Sequence, residues 1–382
     1  MLQSNPRTEI ERKALDAWLT ILLFALVLLV PAAAQLFGIG AASSENRTLA
    51  PFPKIDRLKE IKDLPRLADA YVNDRFGLRA QLVHANSLLR YRMGLSSSKD
   101  VVIGKDGWLF YTGDRSLERH TGAYVLKREE VDAWVRQMEA YRDWLEKRGI
   151  AFYILAAPDK NTIYPEKLPD YPRSPGATTP LDQVVARLKT SSLEFIDPRA
   201  ALVEAKQLGE QVYFEGDTHW TQRGAFVAYN LLMDRVRRRF PTVTALTIDD
   251  YDVSVDTAPA ADLARLLSLE GVLDYSVERF RPRAGRQIGS VTTSRPGWPW
   301  RVTEIRTNLQ NRPRLLILGD SFTDYVLGPN FLYETFRDPV WTHHNLGGFN
   351  FDLVKEVAPA VVIYQFAERF LHVPVGKPRG MD

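Results

Sequence analysis

A serine that follows a buried strand becomes a nucleophile only if a base stands ready to take its proton. Residues 314–318 read as such a strand and run directly into Gly319-Asp320-Ser321-Phe322. At the carboxyl end of a strand in an open parallel sheet, a side chain faces the crevice where ligands bind. Backbone N–H groups of the same turn can face a developing oxyanion. The plainer reading is a strand-to-helix junction with Ser321 as the helix cap. A base decides between the two, and the chain offers six histidines and no cysteine. Without cysteine there are no disulfides, thiolate nucleophiles, Cys-ligated zinc sites or iron–sulfur clusters. His219 stands in Gly216-Asp217-Thr218-His219-Trp220, just ahead of a helical pattern over 221–239. An aspartate two residues before a histidine can fix its tautomer and stabilise its cation. Ser321, His219 and Asp217 are therefore the candidate triad. His84 lies in a helical pattern and reads as a surface residue, and His120 and His372 lack a serine turn or acid nearby. His343 and His344 end a strand at the sheet rim and are the reserve candidates. No partners at ligand spacing support a metal site, so neither metal nor cofactor is expected.

The elements that must hold these turns are an alternation of apolar strands and helices. Strands are expected at 151–157, 194–196, 314–318, 340–345 and 360–364, with helices at 131–145, 181–188, 198–208 and 221–239. That rhythm predicts an α/β fold, a parallel sheet flanked by helices on both faces. Lys105-Asp106-Gly107 between two short apolar runs predicts a hairpin. Residues 241–312, richer in Pro, Arg, Thr and Gly, read as an irregular insertion, and 38–55 as a linker.

Residues 17–34 contain one polar side chain, Thr20, in an otherwise apolar run, close to the ~20 residues that cross a bilayer. The 16-residue polar lead and the long run favour an uncleaved transmembrane anchor over a signal peptide cut near Ala32-Ala33-Ala34. Arg7, Arg12 and Lys13 ahead of it predict a cytoplasmic tail over 1–16, a signal anchor over 17–37, and a domain over 56–382 outside the cytoplasm. The net charge is only +3, which gives no argument for nucleic acid.

Together, Asp74-Arg-Phe-Gly-Leu-Arg79, the stretch 102–110, Pro158-Asp-Lys-Asn-Thr-Ile-Tyr-Pro165, Asp217-Thr-His-Trp220, Asp262-Leu-Ala-Arg-Leu266 and the serine turn resemble one family. These are the SGNH hydrolase-like polysaccharide O-acetyltransferases of the AlgJ/AlgX type, and the anchored layout is similar to the AlgJ kind. The resemblance implies an SGNH-like sheet whose catalytic blocks stand in circularly permuted order, Asp and His before Ser. It implies O-acetylation of an exopolysaccharide such as alginate through an acetyl-serine, in the periplasm at a bacterial inner membrane. It also implies a membrane-bound O-acyltransferase as acetyl donor. A carbohydrate acetylesterase and a non-catalytic polysaccharide-binding assembly protein are the alternatives. Gly347 and Gly348 match the family's glycine block and join the Ser321 N–H as oxyanion candidates. Glu368 and Arg369 stand where the superfamily has Gly-x-Asn-Asp, a departure that affects the oxyanion hole and makes both substrate-binding candidates. Trp220, Trp298 and Trp300 are candidate sugar platforms, as is Trp341, and Lys160 is a candidate at the sheet rim. The arginines 281, 283, 286, 295 and 301 could face a uronic acid polymer.

Overall fold

The computed structural model describes residues 6–37, 50–53, 58–171, 173–174, 176–283, 285, 288–292, 301–344, 349–372 and 380–381. Gly347, Gly348, Trp298, Trp300, Arg286 and Arg295, and most of the expected linker, lie outside the described residues. Two compact units form: Met1–Ser97 with Leu267–Leu269, and Ser98–Leu266 with Glu270–Asp382.

In the first unit, the helix Pro6–Leu36 contains an apolar stretch, Lys13–Gln35, of 23 residues. At 1.5 Å per residue it measures roughly 35 Å, long enough to cross a hydrocarbon core. Its one polar side chain in the core of that stretch, Thr20, donates back to the Asp16 carbonyl at 2.8 Å. Leu19, Leu22, Phe24 and Leu29 are exposed along it. Two further helices, Leu64–Arg75 and Arg79–Arg92, follow. His84 on the second is half-buried, with Nδ1 2.9 Å from the Ser268 carbonyl oxygen, so it is more enclosed than its pattern predicts.

The second unit is built on strands β1 (Val101–Ile103), β2 (Leu109–Tyr111), β3 (Ala151–Ala157), β4 (Phe195–Ile196), β5 (Tyr251–Pro259), β6 (Asp274–Pro282), β7 (Ile288–Thr292), β8 (Val302–Thr307), β9 (Arg314–Gly319), β10 (Arg337–His343) and β11 (Val361–Ala367). The main sheet has the order β4-β3-β11-β9-β10-β8-β7. β4, β3, β11, β9 and β10 run parallel, β8 pairs antiparallel with β10, and β7 pairs antiparallel with β8. The expected parallel sheet is present in the five parallel strands, and β8 and β7 extend it into a mixed sheet. The stretch 241–312 is also more regular than its composition suggests: it holds the β5–β6 ribbon and the edge strands β7 and β8. One face of a ribbon is solvated and carries the charges, so its apolar signal is half that of a buried strand.

Alternation along the central strands builds two cores. Tyr153, Leu155, Leu315, Ile317 and Ile363 pack with Ala225, Tyr229, Leu232 and Val236 of the helix Gln222–Arg239. The intervening Phe152, Ile154, Leu316, Leu318, Val362 and Tyr364 pack with Trp134, Val135, Met138 and Tyr141 of the helix Arg128–Glu146. Each fully buried Leu or Ile contributes about 1.5–3 kcal/mol. Because the five central strands are parallel, their carboxyl ends share one edge. There β3 delivers Asp159 and Lys160, β9 delivers Ser321, and β11 delivers Glu368 and Arg369.

Candidate active site

The serine turn leaves β9 at Gly319, where a Cβ would lie 2.1 Å from Thr323 Oγ1, so the close approach needs glycine. Asp320 turns inward. Its Oδ1 accepts the Phe322 N–H at 2.9 Å, its Oδ2 accepts the Ala367 N–H at 2.6 Å, and its own N–H donates to Gln365 Oε1 at 3.0 Å. Burial pushes the Asp320 carboxyl up, but His344, the Arg369 guanidinium and the Phe322 amide hold it down at about 2. His344 is buried with Nε2 3.8 Å from Asp320 Oδ2, so this reserve histidine serves the aspartate beneath the serine. Ser321 itself begins the following helix, and a residue at that position has an N–H without an intrahelical partner. That helix continues as a ten-residue π-helix, Thr323–Leu332. Such wide turns are rare and concentrate at functional sites.

The histidine turn is tied down from three sides. Thr221 caps the helix Gln222–Arg239, accepting the Gly224 N–H at 3.1 Å and donating to the Gln211 carbonyl at 2.6 Å. The Lys160 ammonium donates to the carbonyls of Phe214, Glu215 and Asp217 at 3.0, 2.9 and 2.8 Å. Burial lowers its pKa to about 7 against the pull of Asp262, Asp217 and Glu215. Trp220 is fully buried, and its Nε1–H donates to the Phe322 carbonyl at 3.1 Å, which brackets the two turns together.

Between these turns the side chains meet. Asp217 Oδ1 accepts both the backbone N–H of His219, at 2.9 Å, and its Nδ1–H, at 2.6 Å. Nε2 lies 2.7 Å from Ser321 Oγ, within hydrogen-bond reach of its hydroxyl. Burial raises Asp217, yet the hydrogen bond and charge of His219 bring it to about 2. A second carboxylate lies behind them. Asp262 accepts the Thr218 N–H at 2.9 Å and the Thr218 hydroxyl, with Oδ2 3.8 Å from His219 Nδ1. Burial, then the Asp217 charge, raise the Asp262 pKa. Asp217, His219 and Asp262 bring their ligand-type atoms within 4.8 Å of one another. Nδ1 of His219 faces Asp217 and Nε2 faces Ser321, so both ring nitrogens have partners within the cluster.

Several sequence candidates sit elsewhere than expected. Trp220 and Trp341 are core residues, the second donating to Thr323 Oγ1 at 3.0 Å, and neither can stack on a sugar. Lys160 spends its ammonium on backbone carbonyls. Glu368 and Arg369 are buried below the rim: Glu368 accepts the Asp159 N–H and the Thr162 hydroxyl, and Arg369 donates to Asp159 at 2.8 Å. Arg281, Arg283 and Arg301 pair with Asp256, Asp252 and Asp324. Asp262 and Asp320 belong to the site but had no role in the sequence reading. Both stood in motifs, and only the fold shows what they touch.

A family model described as the SGNH hydrolase-like domain of the acetyltransferase AlgX matches residues 101–357, more than half of the chain. The chain belongs to this SGNH hydrolase-like family. Among its relatives, the chain is 25% identical over 321 residues to a probable alginate O-acetylase AlgJ of Pseudomonas syringae pv. tomato, covering 80% of this chain and 78% of that one. It is 26% identical over 360 residues to the protein of the same name in Pseudomonas putida, covering 88% and 86%. A solved structure of Bacillus cereus PatB1 with a sulfonyl adduct superimposes with a TM-score of 0.55 at 16% identity, over 72% of this chain and 96% of that one. The SGNH-like α/β fold is thereby established.

Proposed function

We propose that this protein is an O-acetyltransferase that acetylates hydroxyls of an exopolysaccharide such as alginate through an acetyl-serine. The carrying observation is the unbroken relay Asp217–His219–Ser321, with links of 2.6 and 2.7 Å at the carboxyl edge of the sheet. The names of the relatives support the acetyl group and the polymer. His219 Nε2 takes the proton of Ser321 as Oγ attacks the acetyl carbonyl, and Asp217 stabilises the imidazolium that forms. The tetrahedral oxyanion is held by the Ser321 N–H at the helix start. His219 returns the proton to the leaving group. An acceptor hydroxyl then gives its proton to His219 and attacks the acetyl-serine, which restores Ser321. Relative to SGNH esterases we read the order of the Asp-His and Ser blocks as a circular permutation.

The apolar N-terminal helix supports anchoring in a bacterial inner membrane with the catalytic unit in the periplasm. There the acetyl group would come from a membrane-bound O-acyltransferase, since acetyl carriers are cytoplasmic. The test is to incubate the full chain with an activated acetyl ester, with and without alginate oligosaccharides. The expected result is acceptor-dependent acetylated product and a protein heavier by one acetyl group, both lost in Ser321→Ala. Release of acetate to water alone would make the protein an esterase. Neither product would indicate a binding or assembly role.

A further inference from the structure

The aromatic side chains of the second unit are almost all inside it: Trp108, Trp134, Trp144, Trp220 and Trp341 are buried. Among the described residues of this unit Tyr325 is the most exposed aromatic, at 64%, against 39% for Tyr171. It stands four residues after Ser321 on the π-helix Thr323–Leu332, one turn along. Its ring meets the His219 imidazole edge to face, with centroids 5.2 Å apart. A large aromatic left in water costs hydration free energy that the fold regains only when something covers it. Anything that covers the exposed Tyr325 ring would lie close to the His219 imidazole.

We propose that Tyr325 is the platform on which a sugar ring of the acceptor polysaccharide rests while its hydroxyl reaches His219. This rests on the transferase reading above. A pyranose ring presents a face of C–H groups, apolar and slightly positive, which suits the negative face of a phenol ring. Neighbouring charges are neutralised in place: Arg301 pairs with Asp324 at 2.9 Å, and Arg265 with Glu270 at 2.6 Å. The surface around the phenol can therefore take a sugar without leaving a bare charge under it. Tyr325 acts on where the acetyl group goes, to sugar or to water, whereas the triad acts on whether it moves.

The test compares full-length wild type, Tyr325→Ala and Tyr325→Trp in detergent, with an activated acetyl ester as donor and alginate oligosaccharides as acceptor. Tyr325→Ala should raise the acceptor KM, and the ratio of transfer to hydrolysis should fall about tenfold. Tyr325→Trp should keep a ratio near that of wild type. An unchanged ratio in Tyr325→Ala would overturn the proposal. So would equal losses of transfer and hydrolysis, which would make Tyr325 a prop for His219. A Ser321→Ala control separates the failures: if that variant still forms acetylated sugar, the transferase reading itself is wrong. If it is inactive and only the ratio is unmoved, the platform alone is wrong.

Discussion

Two carboxylates share the Nδ1 side of His219, and their environments give them different work. Asp217 receives the N–H directly at 2.6 Å. Asp262 acts at 3.8 Å and through Thr218. Replacing Asp217 by Asn should therefore cost about 10³-fold or more in the rate of acetyl-ester turnover, through the wrong tautomer. Asp262→Asn should cost about tenfold, since it loses only a secondary charge and a tether. Steady-state kinetics of both variants checks the ranking, and equal losses would refute it. The other buried carboxyl of interest is Glu368, pushed up to about 7 by burial and by the Asp159 charge. A carboxyl raised in the folded state favours folding below its ordinary pKa, near 4.5, and that contribution is lost as pH rises through 7. Glu368→Gln keeps an acceptor for the Asp159 N–H and the Thr162 hydroxyl but has no proton to lose. It should melt about 2–4 °C higher than wild type at pH 8, with no such gain at pH 4. Asp217, His219 and Ser321 stood out in the sequence as candidates because each turn carries its residue types within a few positions, and the fold brings the three side chains together. Trp220 was visible as a type, but its ring is fully buried rather than turned to a ligand. Which way a side chain points from a strand end depends on residues far away in sequence, such as Phe322 for Trp220.

At the scale of elements, the parallel core was predictable because its strands are apolar on both faces. The edge strands β7 and β8 and the β5–β6 ribbon were not, since their alternation is diluted by Arg, Glu, Asp and Thr on the solvent side. The π-helix has no sequence signal beyond Pro329 inside it. The junction between the histidine turn and its helix is set by packing. A Cβ at Gly224 would lie 2.1 Å from the Val212 carbonyl oxygen, a backbone atom with little room to retreat. Gly224→Ala should push the helix start away from the turn. We expect a loss of about 1–3 kcal/mol, read as a lower melting temperature, together with slower ester turnover. A stability loss without a kinetic effect would mean that the turn and the helix are not coupled.

For the whole molecule, the apolar helix and the catalytic unit make separate demands. The 23-residue stretch exposes apolar side chains such as Trp18, Phe24 and Leu29, as a membrane-spanning helix would. The full chain should sediment with membranes and resist extraction by carbonate at high pH, and removal of residues 1–37 should release it. Extraction of the intact chain by carbonate would argue against a spanning helix.

The base and the nucleophile are 102 residues apart in sequence, and their turns are held by different strands and loops. The separation has a kinetic consequence. An unfolded chain carries Ser321 as an ordinary alcohol, because no local segment contains His219. Reactivity would arise only after β9 has paired with β11 and the Trp220 indole has reached the Phe322 carbonyl. These long-range contacts order slowly compared with helices and hairpins. On the proposed reading, the topology itself delays the arming of Ser321 until the sheet has closed.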